Sequence, residues 1–528
     1  MSYAIADVAV VVNSELDNVA VAKVLIPAGS TLLWNDRSIR IQADIAPGHR
    51  FTLRAVPAGE WVRQYRQPFA RSLGLDAGDA VTPESVRSDD IVIDAAQLKV
   101  NTPVLAPWQG ERPVFQGFAR RQGPAGVRNW VVVIPMSMCA DHEAVRISTL
   151  AEQRGIYTRE AYPNVDGVTV LSHDGGCACP DFPENQDQPS SLATTLRIFH
   201  RHIQHPNVGA VLMVELGCEK SGLRVFQDYF GLEDLSDAYG KPVRMLTIQT
   251  SGGSRATIER GLALLPELLT EANATGRSQV PLSELAVGVE CGGSDGFSGL
   301  SANPALGAAS DLWIRAGGST VIAEVPEFFG AEHLFAQRAV NQEVGREVLA
   351  MVQRYRNYAA RGGHALGENP SPGNRAGGLI NITVKSLGAI AKSGTAPVQG
   401  VLDYGERLWG RPERGLYMLN TPGYDQTSVP GLVAAGCQVV CFTTGRGSSI
   451  GNAIAPVVKI GSNNDLYRRM APDIDVNAGA ILSGEASQAE IGQKIYETVL
   501  AAANGSWTRA ELSGHREFAI WDIEGIML

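Results

Sequence analysis

No stretch of this 528-residue chain is apolar for long enough to cross a bilayer. Runs such as Val131–Ile134 and Val439–Phe442 stop far short of the roughly 20 residues that a membrane helix needs. The opening, Met1-Ser2-Tyr3-Ala4-Ile5-Ala6-Asp7, has neither the basic start nor the apolar core of a secretory signal, so a cytoplasmic protein is expected. Positive charge is in deficit. Lys and Arg number 45 against 55 Asp and Glu, a formal net charge of -10. That balance argues against nucleic acid or an anionic membrane as partner, and it leaves room for a local basic pocket that holds a small anion. Cysteine is sparse, with 7 residues. In a large chain of a reducing compartment they are poor material for a disulfide framework, and metal ligation, catalysis or plain burial are the better uses. No tandem repeat recurs at a fixed period.

What the chain has in excess is glycine, 57 residues or about 11% against a usual value of roughly 7%. The glycines gather in short motifs at the ends of strand-like runs. The length predicts about three domains, and the texture divides accordingly. Residues 1–95 carry short β-type runs, Val8–Val12, Val19–Ile26, Ser38–Ile41 and Arg50–Val56, punctuated by turns such as Pro47-Gly48-His49. Residues 96–125 hold Pro103, Pro107, Pro113 and Pro124 and read as a linker. From residue 126 onward strands alternate with helices, through a middle part, 126–255, and a C-terminal part, 256–528. Strands are expected at Val131–Pro135, Val208–Glu215, Val243–Gln249, Leu285–Glu290, Thr320–Val325, Gly415–Asn420 and Gln438–Thr443. Helices are expected at Glu143–Arg154, Ser190–His205, Thr257–Ala272 and Glu332–Arg356. The fold class is therefore α/β, a small β domain followed by parallel sheets, with the ligand site beyond the carboxyl ends of the strands.

Four motifs share one design, a strand that runs into a small turn bearing thiol or acid. They are Met138-Cys139-Ala140-Asp141-His142, His173-Asp174-Gly175-Gly176-Cys177-Ala178-Cys179, Gly217-Cys218-Glu219-Lys220 and Cys291-Gly292-Gly293-Ser294-Asp295. Glycine lets the backbone approach an ion closely, and thiolate, imidazole and carboxylate are ligands for iron, zinc or an iron–sulfur cluster. Such a metal could polarise a substrate hydroxyl or carboxylate. Cys177 and Cys179 lack the two-residue spacing of zinc knuckles, so it is the recurrence of the design that points to a metal. Cys437 and Cys441 lie within one apolar strand and read as packing.

A fifth motif, Thr443-Thr444-Gly445-Arg446-Gly447-Ser448-Ser449-Ile450-Gly451-Asn452, follows a strand. Its amides and Arg446 suit a carboxylate. Three residues separate its last two glycines, which argues against the dinucleotide fingerprint and a nicotinamide oxidoreductase. Lys385 ends the strand-like run Asn381–Lys385, where it could serve as a desolvated base or a carboxylate clamp. By spacing alone, His49 reads as a solvated turn histidine.

Taken in order, Gly126-Val127-Arg128-Asn129, His173 through Cys177, Gly217-Cys218-Glu219, Cys291 through Asp295 and Thr444-Gly445-Arg446-Gly447 resemble the altronate/galactarate dehydratase family over roughly residues 120–500. The N-terminal Asp17-Asn18-Val19-Ala20-Val21-Ala22 and Ile45-Ala46-Pro47-Gly48-His49-Arg50 are similar to the β-clip (SAF) domain that accompanies that catalytic part. The resemblance implies a modified Rossmann-like catalytic region, a homodimer and iron-dependent removal of water from a small anionic hydroxy-acid to give a 2-keto-3-deoxy acid. A sulfo-lyase that releases sulfite from sulfolactate is the alternative within the same group, and a non-catalytic binder of acid sugars is the alternative outside it. On this reading Cys139, Cys177, Cys218 and Cys291 hold Fe2+ or an iron–sulfur cluster, with Mn2+ as another ion. His49, His173, Glu219 and Lys385 are the acid–base candidates. Asn18, Ser294, Asp295, Arg446 and Asn452 are the expected substrate contacts.

Overall fold

The computed structural model describes residues 2–89, 91, 95–180, 190–361, 363 and 369–522. The N-terminal part is largely antiparallel β structure built from short strands, with one parallel pair, Ser2–Ala4 beside Thr31–Trp34. Ala9–Val10, Val19–Ala22, Arg50–Thr52 and Ala80–Val81 pair in that order. Two hairpins, Thr31–Trp34 with Arg37–Arg40 and Trp61–Gln64 with Gln67–Ser72, complete it. Both turn through two residues of positive φ, Asn35-Asp36 in the first and Tyr65-Arg66 in the second. Asn and Asp adopt that left-handed pair readily. Tyr and Arg do so at a cost, and the Asp17 carboxylate offsets it by accepting from the Tyr65 and Arg66 amides at 3.1 and 2.8 Å.

The middle part is a parallel sheet ordered Gly167–Val170, Trp130–Pro135, Val208–Glu215, Val243–Thr247. Its strands are nearly continuous apolar runs because helices cover both faces. Helices Asp141–Gln153 and Ser254–Asn273 bury Ile147, Leu262, Leu265, Leu268 and Leu269 against Val131, Val133, Leu212 and Val214, so this unit continues past residue 255. The C-terminal part holds seven parallel strands in the order Val398–Leu402, Leu416–Leu419, Ser319–Ile322, Ala286–Cys291, Val439–Thr444, Val457–Gly461, Val476–Asn477. Chain order reverses beside Ala286–Cys291, which makes the crevices at its carboxyl end the expected ligand position. The α/β class therefore holds. Helix Ser191–Gln204 of the middle part packs against helix Asp425–Ala434 of the C-terminal part, and both sheets share one core through Phe199, Leu196, Leu432 and Tyr417.

Three expectations change. Residues 96–125 are not wholly irregular, since Val114–Phe118 pairs antiparallel with Arg277–Pro281. Glu332–Arg356 is two helices, Glu332–Gln337 and Gln342–Arg361. Between them the backbone leaves the helix to extend the sheet edge, where Ala339 bridges Val398 and the Val340 amide donates to the Val398 carbonyl. Lys385 lies within a helix, Ile382–Ala389, whose start is capped by the Asn381 side chain accepting from Val384 N–H. The β-branched Ile382-Thr383-Val384 read as strand, and burial of that turn overrides the local preference. No helix among the described residues is long and apolar enough to cross a membrane.

Candidate active site

Three of the cysteine turns meet. Cys139 follows Trp130–Pro135, Cys177 follows Gly167–Val170 and Cys218 follows Val208–Glu215, at the carboxyl ends of three adjacent strands. Ser221 ties the three turns together, because its hydroxyl lies 2.5 Å from the Met136 carbonyl and 2.7 Å from that of Gly176. Gly176 is required there, since a Cβ at its φ of 95° would press on Met136 and Ser137. Glu219 supplies a second tie. Its carboxylate accepts from Ser137 Oγ at 3.0 Å and from the amides of Leu216, Gly217 and Cys218 at 2.8, 2.7 and 2.9 Å. Burial pushes its carboxyl up, but these bonds outweigh burial and hold it below the ordinary range. Glu219 thus fixes the turn that presents Cys218, and its lone pairs are spent on doing so. All three thiols remain exposed. Partial burial raises the Cys177 thiol, and the neighbouring sulfurs of Cys139 and Cys218 raise it further. Sulfurs facing solvent are soft donors of the kind that iron or an iron–sulfur cluster takes, although these three do not gather their ligand atoms within 4.8 Å of one another as the buried groups of the C-terminal part do.

His173 does not join them as a ligand. Nε2 lies 2.8 Å from the Pro135 carbonyl and Nδ1 accepts from the Gly175 amide at 3.2 Å, so both ring nitrogens are engaged by backbone. Burial lowers its proton affinity, and the ring packs on Phe199. It shapes the Cys177 turn.

Beside the thiols opens a cavity of about 890 Å3. Cys139, Cys177 and Cys179 line one wall, and Pro422, Tyr424, Thr427 and Trp521 line another. Behind that second wall lies a buried cluster of charge in the C-terminal part. Cys291 ends the central strand, and its Sγ lies 2.6 Å from Glu327 Oε2 and 2.7 Å from Lys392 Nζ. Lys392 also lies 3.1 Å from Glu327 and 3.7 Å from Glu324, and Lys385 pairs with Glu327 at 2.8 Å. Burial would raise the Glu327 carboxyl, but the two ammoniums hold it down to about 2. Burial raises the Cys291 thiol, and the Glu327 carboxylate raises it further. Cys291 is therefore a protonated thiol donating to Glu327, with Lys392 already in the place of a cation. Cys291 stands apart from the other three cysteines in position, buried at the end of the central strand of the C-terminal sheet, where its sulfur and the carboxylates of Glu324 and Glu327 bring their ligand atoms within 4.8 Å of one another. On the far side, one oxygen each of Glu290, Glu324 and Asp425 lie within 4.8 Å of one another. Burial pushes Glu290 and Glu324 well up, and Asp425, which stays partly exposed, up to about 6. Glu324 has a φ of 68°, a left-handed conformation that a non-glycine residue keeps only where its surroundings enforce it. Glu290, Glu324, Glu327, Lys392 and Asp425 were not singled out in the sequence. The available signal was an acid beside the glycine turn in Glu290-Cys291, and two acids straddling Pro326 just after a strand.

The remaining candidates lie where the N-terminal part docks. The Pro47-Gly48-His49 turn presses on Gly296, Gly377 and Gly378. His49 Nε2 lies 3.3 Å from the Ala376 carbonyl, and buried Arg50 donates to the Gly378 carbonyl at 2.6 Å and to Gln64 Oε1 at 2.5 Å. Arg50, Tyr65, Ser294 and Lys385 share a gap of about 10 Å3, enough for about one water. Asn18 is not at a cavity. Its side chain zips to the backbone of Trp61 and Arg63 at 2.9 and 2.7 Å. Asp295 is saturated by Phe297, Ser298, Ser462 and Asn463 and anchors the loop. Asn452 Oδ1 accepts from the Ile454 and Ala455 amides in a turn, while exposed Arg446 bonds through its amide to the Gly293 carbonyl. None of these four residues faces the large cavity. A Cβ on Gly296 would drive into the Gly48 carbonyl. Gly296→Ala is therefore expected to loosen this docking at a cost of about 1–3 kcal/mol. The check is a melting temperature lower by several degrees, at roughly 2–4 °C per kcal/mol, and an unchanged melting temperature contradicts the contact.

Comparison with known proteins covers all three parts. Residues 8–89 match the model of the altronate/galactarate dehydratase SAF domain. Residues 117–273 match that of the D-galactarate dehydratase/altronate hydrolase second domain. Residues 282–525 match that of the D-galactarate/altronate dehydratase C-terminal domain. The chain is 36% identical to an altronate dehydratase of Bacillus subtilis, over 96% of this chain and 97% of the relative. It is 34% identical to an altronate dehydratase of Escherichia coli, over 96% and 97%. It is 33% identical to a galactarate dehydratase (L-threo-forming) of Escherichia coli, over 94% and 91%.

Proposed function

This chain belongs to the altronate/galactarate dehydratase family, and from that premise we propose that it removes water from a small sugar acid to leave a 2-keto-3-deoxy acid. The observation that carries the reading is the cavity itself. It has ample room for a six-carbon acid, thiols line one wall, and a buried set of proton-bearing groups stands behind the other.

The reaction breaks the C–H bond next to the carboxylate and the C–O bond of the neighbouring hydroxyl. The enol that forms takes a proton at carbon 3 and becomes the ketone. Base and acid must therefore act on adjacent carbons, and the base must shed its proton before the next turnover. Glu327 has the two ammoniums and the thiol within 3.1 Å, so protons can be redistributed among four groups without water. His173 and Glu219 are not part of this machinery, because backbone groups occupy them. Lys385 is, as the ammonium partner of Glu327 that also faces the gap beside Ser294. Cys139, Cys177 and Cys218 would hold iron or an iron–sulfur cluster, which would supply Lewis-acid polarisation of a substrate oxygen. Mn2+, a harder ion, is better matched to carboxylates than to these thiols.

The test is keto-acid formation from a panel including altronate and galactarate, with protein purified without oxygen and its iron counted. Keto acid with about one iron or more per chain supports the reading. Sulfite from sulfolactate in its place would make the chain a sulfo-lyase, and tight binding of the acids without turnover would make it a binding protein. Cys218→Ala is expected to abolish turnover and lower bound iron while the fold survives, and normal activity in that variant would remove the thiols from the mechanism.

A further inference from the structure

Beyond helix Arg509–Leu512 the chain runs on as an irregular tail, and residues 517–522 pass between the middle and C-terminal parts, anchored to both. Glu517 accepts from the Gly451 amide at 2.8 Å. The Phe518 ring meets those of His173 and His202, with centroids 6.3 and 5.0 Å away. The Ala519 amide donates to the Gln426 carbonyl at 2.9 Å, and Asp522 accepts from Ser191 Oγ at 2.9 Å. The Trp521 ring packs among Tyr355, Tyr358 and Tyr404, with centroids 6.1, 5.8 and 5.5 Å away. Fixing an irregular segment costs chain entropy, and these contacts offset it. What they hold in place is a surface, since Ala519, Ile520, Trp521 and Asp522 all line the large cavity. An independent feature is the charge of that cavity. Among its described lining residues there is no lysine, arginine or histidine, and the two charged side chains, Asp174 and Asp522, are both acidic. The ammoniums beyond Tyr424, Lys385 and Lys392, are committed to Glu327 and Glu324.

We propose that this tail binds the hydroxyl-bearing chain of the substrate and selects a sugar acid with one carboxylate over one with two. Trp521 offers an aromatic face to the C–H groups of the chain, and Asp522 offers an acceptor to its hydroxyls. The reacting carboxylate sits at the reaction centre in either kind of substrate. A second carboxylate, at the far end of a six-carbon chain, meets two acidic side chains and no cation on the cavity wall. Like charges brought together disfavour binding, so the wall discriminates by what it repels as well as by what it holds. A hydroxymethyl end in the same place carries no charge and can donate to either carboxylate. The inference rests on the hydro-lyase reading for the class of substrate, and its test separates the two.

The experiment compares altronate, with one carboxylate, and galactarate, with two, on full-length protein purified without oxygen. Keto-acid formation is followed for the parent and for Asp522→Asn, Trp521→Ala and Trp521→Phe. The parent is expected to favour altronate by about tenfold or more in kcat/KM. Asp522→Asn keeps an acceptor for Ser191 and removes the charge, and it is expected to narrow that ratio by about threefold or more. Trp521→Ala is expected to raise KM for altronate by roughly tenfold with a smaller change in kcat. Trp521→Phe keeps an aromatic face and the packing on the tyrosines, so it should regain most of the loss and guards against a folding defect in the alanine variant. The proposal is overturned if the parent uses galactarate as well as altronate, if Asp522→Asn leaves the ratio unchanged, or if Trp521→Ala leaves KM unchanged. Absence of keto acid from both substrates would count against the hydro-lyase reading instead. Calorimetric titration with the same two acids then decides the proposal: altronate bound about tenfold more tightly than galactarate upholds it, and equal binding or none overturns it.

Discussion

Glu327→Gln is expected to lower turnover by about 10²- to 10⁴-fold, the range that a positioned proton-transfer group contributes. The amide has nearly the shape of the carboxylate, so packing around Phe328 and Val325 is preserved. What changes is charge. Lys385 and Lys392 lose the carboxylate that lies 2.8 and 3.1 Å away, and Cys291 loses the acceptor 2.6 Å from its sulfur. Two ammoniums then share a buried space with one fewer anion, and at least one is driven toward the neutral amine. The variant should also lose stability, by about 3–5 kcal/mol for an orphaned buried partner. Activity must therefore be read below the variant's own melting transition, with circular dichroism as the check on fold. The conservative companion is Cys291→Ser, which keeps a donor to Glu327 and should retain far more activity. Turnover of Glu327→Gln within about threefold of the parent would exclude this cluster from proton transfer.

That cluster was only half legible in the sequence. Local signals carry local structure, and here they did. Apolar runs ending in turns, most of them glycine-rich, marked Trp130–Pro135, Val208–Glu215, Ala286–Cys291 and Val439–Thr444 nearly to the residue. The recurring thiol turn marked Cys139, Cys177 and Cys218, which do converge, because the same turn at the same end of adjacent parallel strands must bring its residues together. Cys291 looks identical locally and ends up in different company. Its partners are set by pairing over distance, Glu327 36 residues and Lys392 101 residues away in the chain. No window of sequence contains that geometry. His173 and Glu219 failed for the opposite reason. They carry reactive groups in reactive-looking motifs, but turns rich in free amides and carbonyls occupy every lone pair they offer. The N-terminal Asp17-Asn18 motif behaves in the same way, spending its oxygens on the Tyr65-Arg66 turn and on the strand before it.

An equally large effect on stability is expected at Arg128, in a motif that marks the family without touching the cavity. Its guanidinium is fully buried and forms a two-pronged pair with Glu511 at 2.7 and 2.9 Å. It also donates to the carbonyls of Val127, Ala502 and Ser506 at 2.9, 2.8 and 2.8 Å. One side chain thus ties the entry of the middle part to the end of helix Gln488–Ala503 and to the short helix Arg509–Leu512. Glu511 is committed twice, because it also accepts from the Thr508 amide and hydroxyl in a capping box. Arg128→Ala leaves a buried carboxylate and three carbonyls without their donor. The expected cost is about 3–5 kcal/mol, or a melting temperature lower by roughly 10 °C at constant scan rate. Lysine is not expected to rescue it, since a single ammonium cannot reproduce the planar fork that serves a carboxylate and carbonyls together. In a double-mutant cycle, Glu511→Ala added to Arg128→Ala should cost much less than it does alone, because the stranded charge is removed. Additive losses would mean that the two residues act separately, and that the middle and C-terminal parts are held together elsewhere.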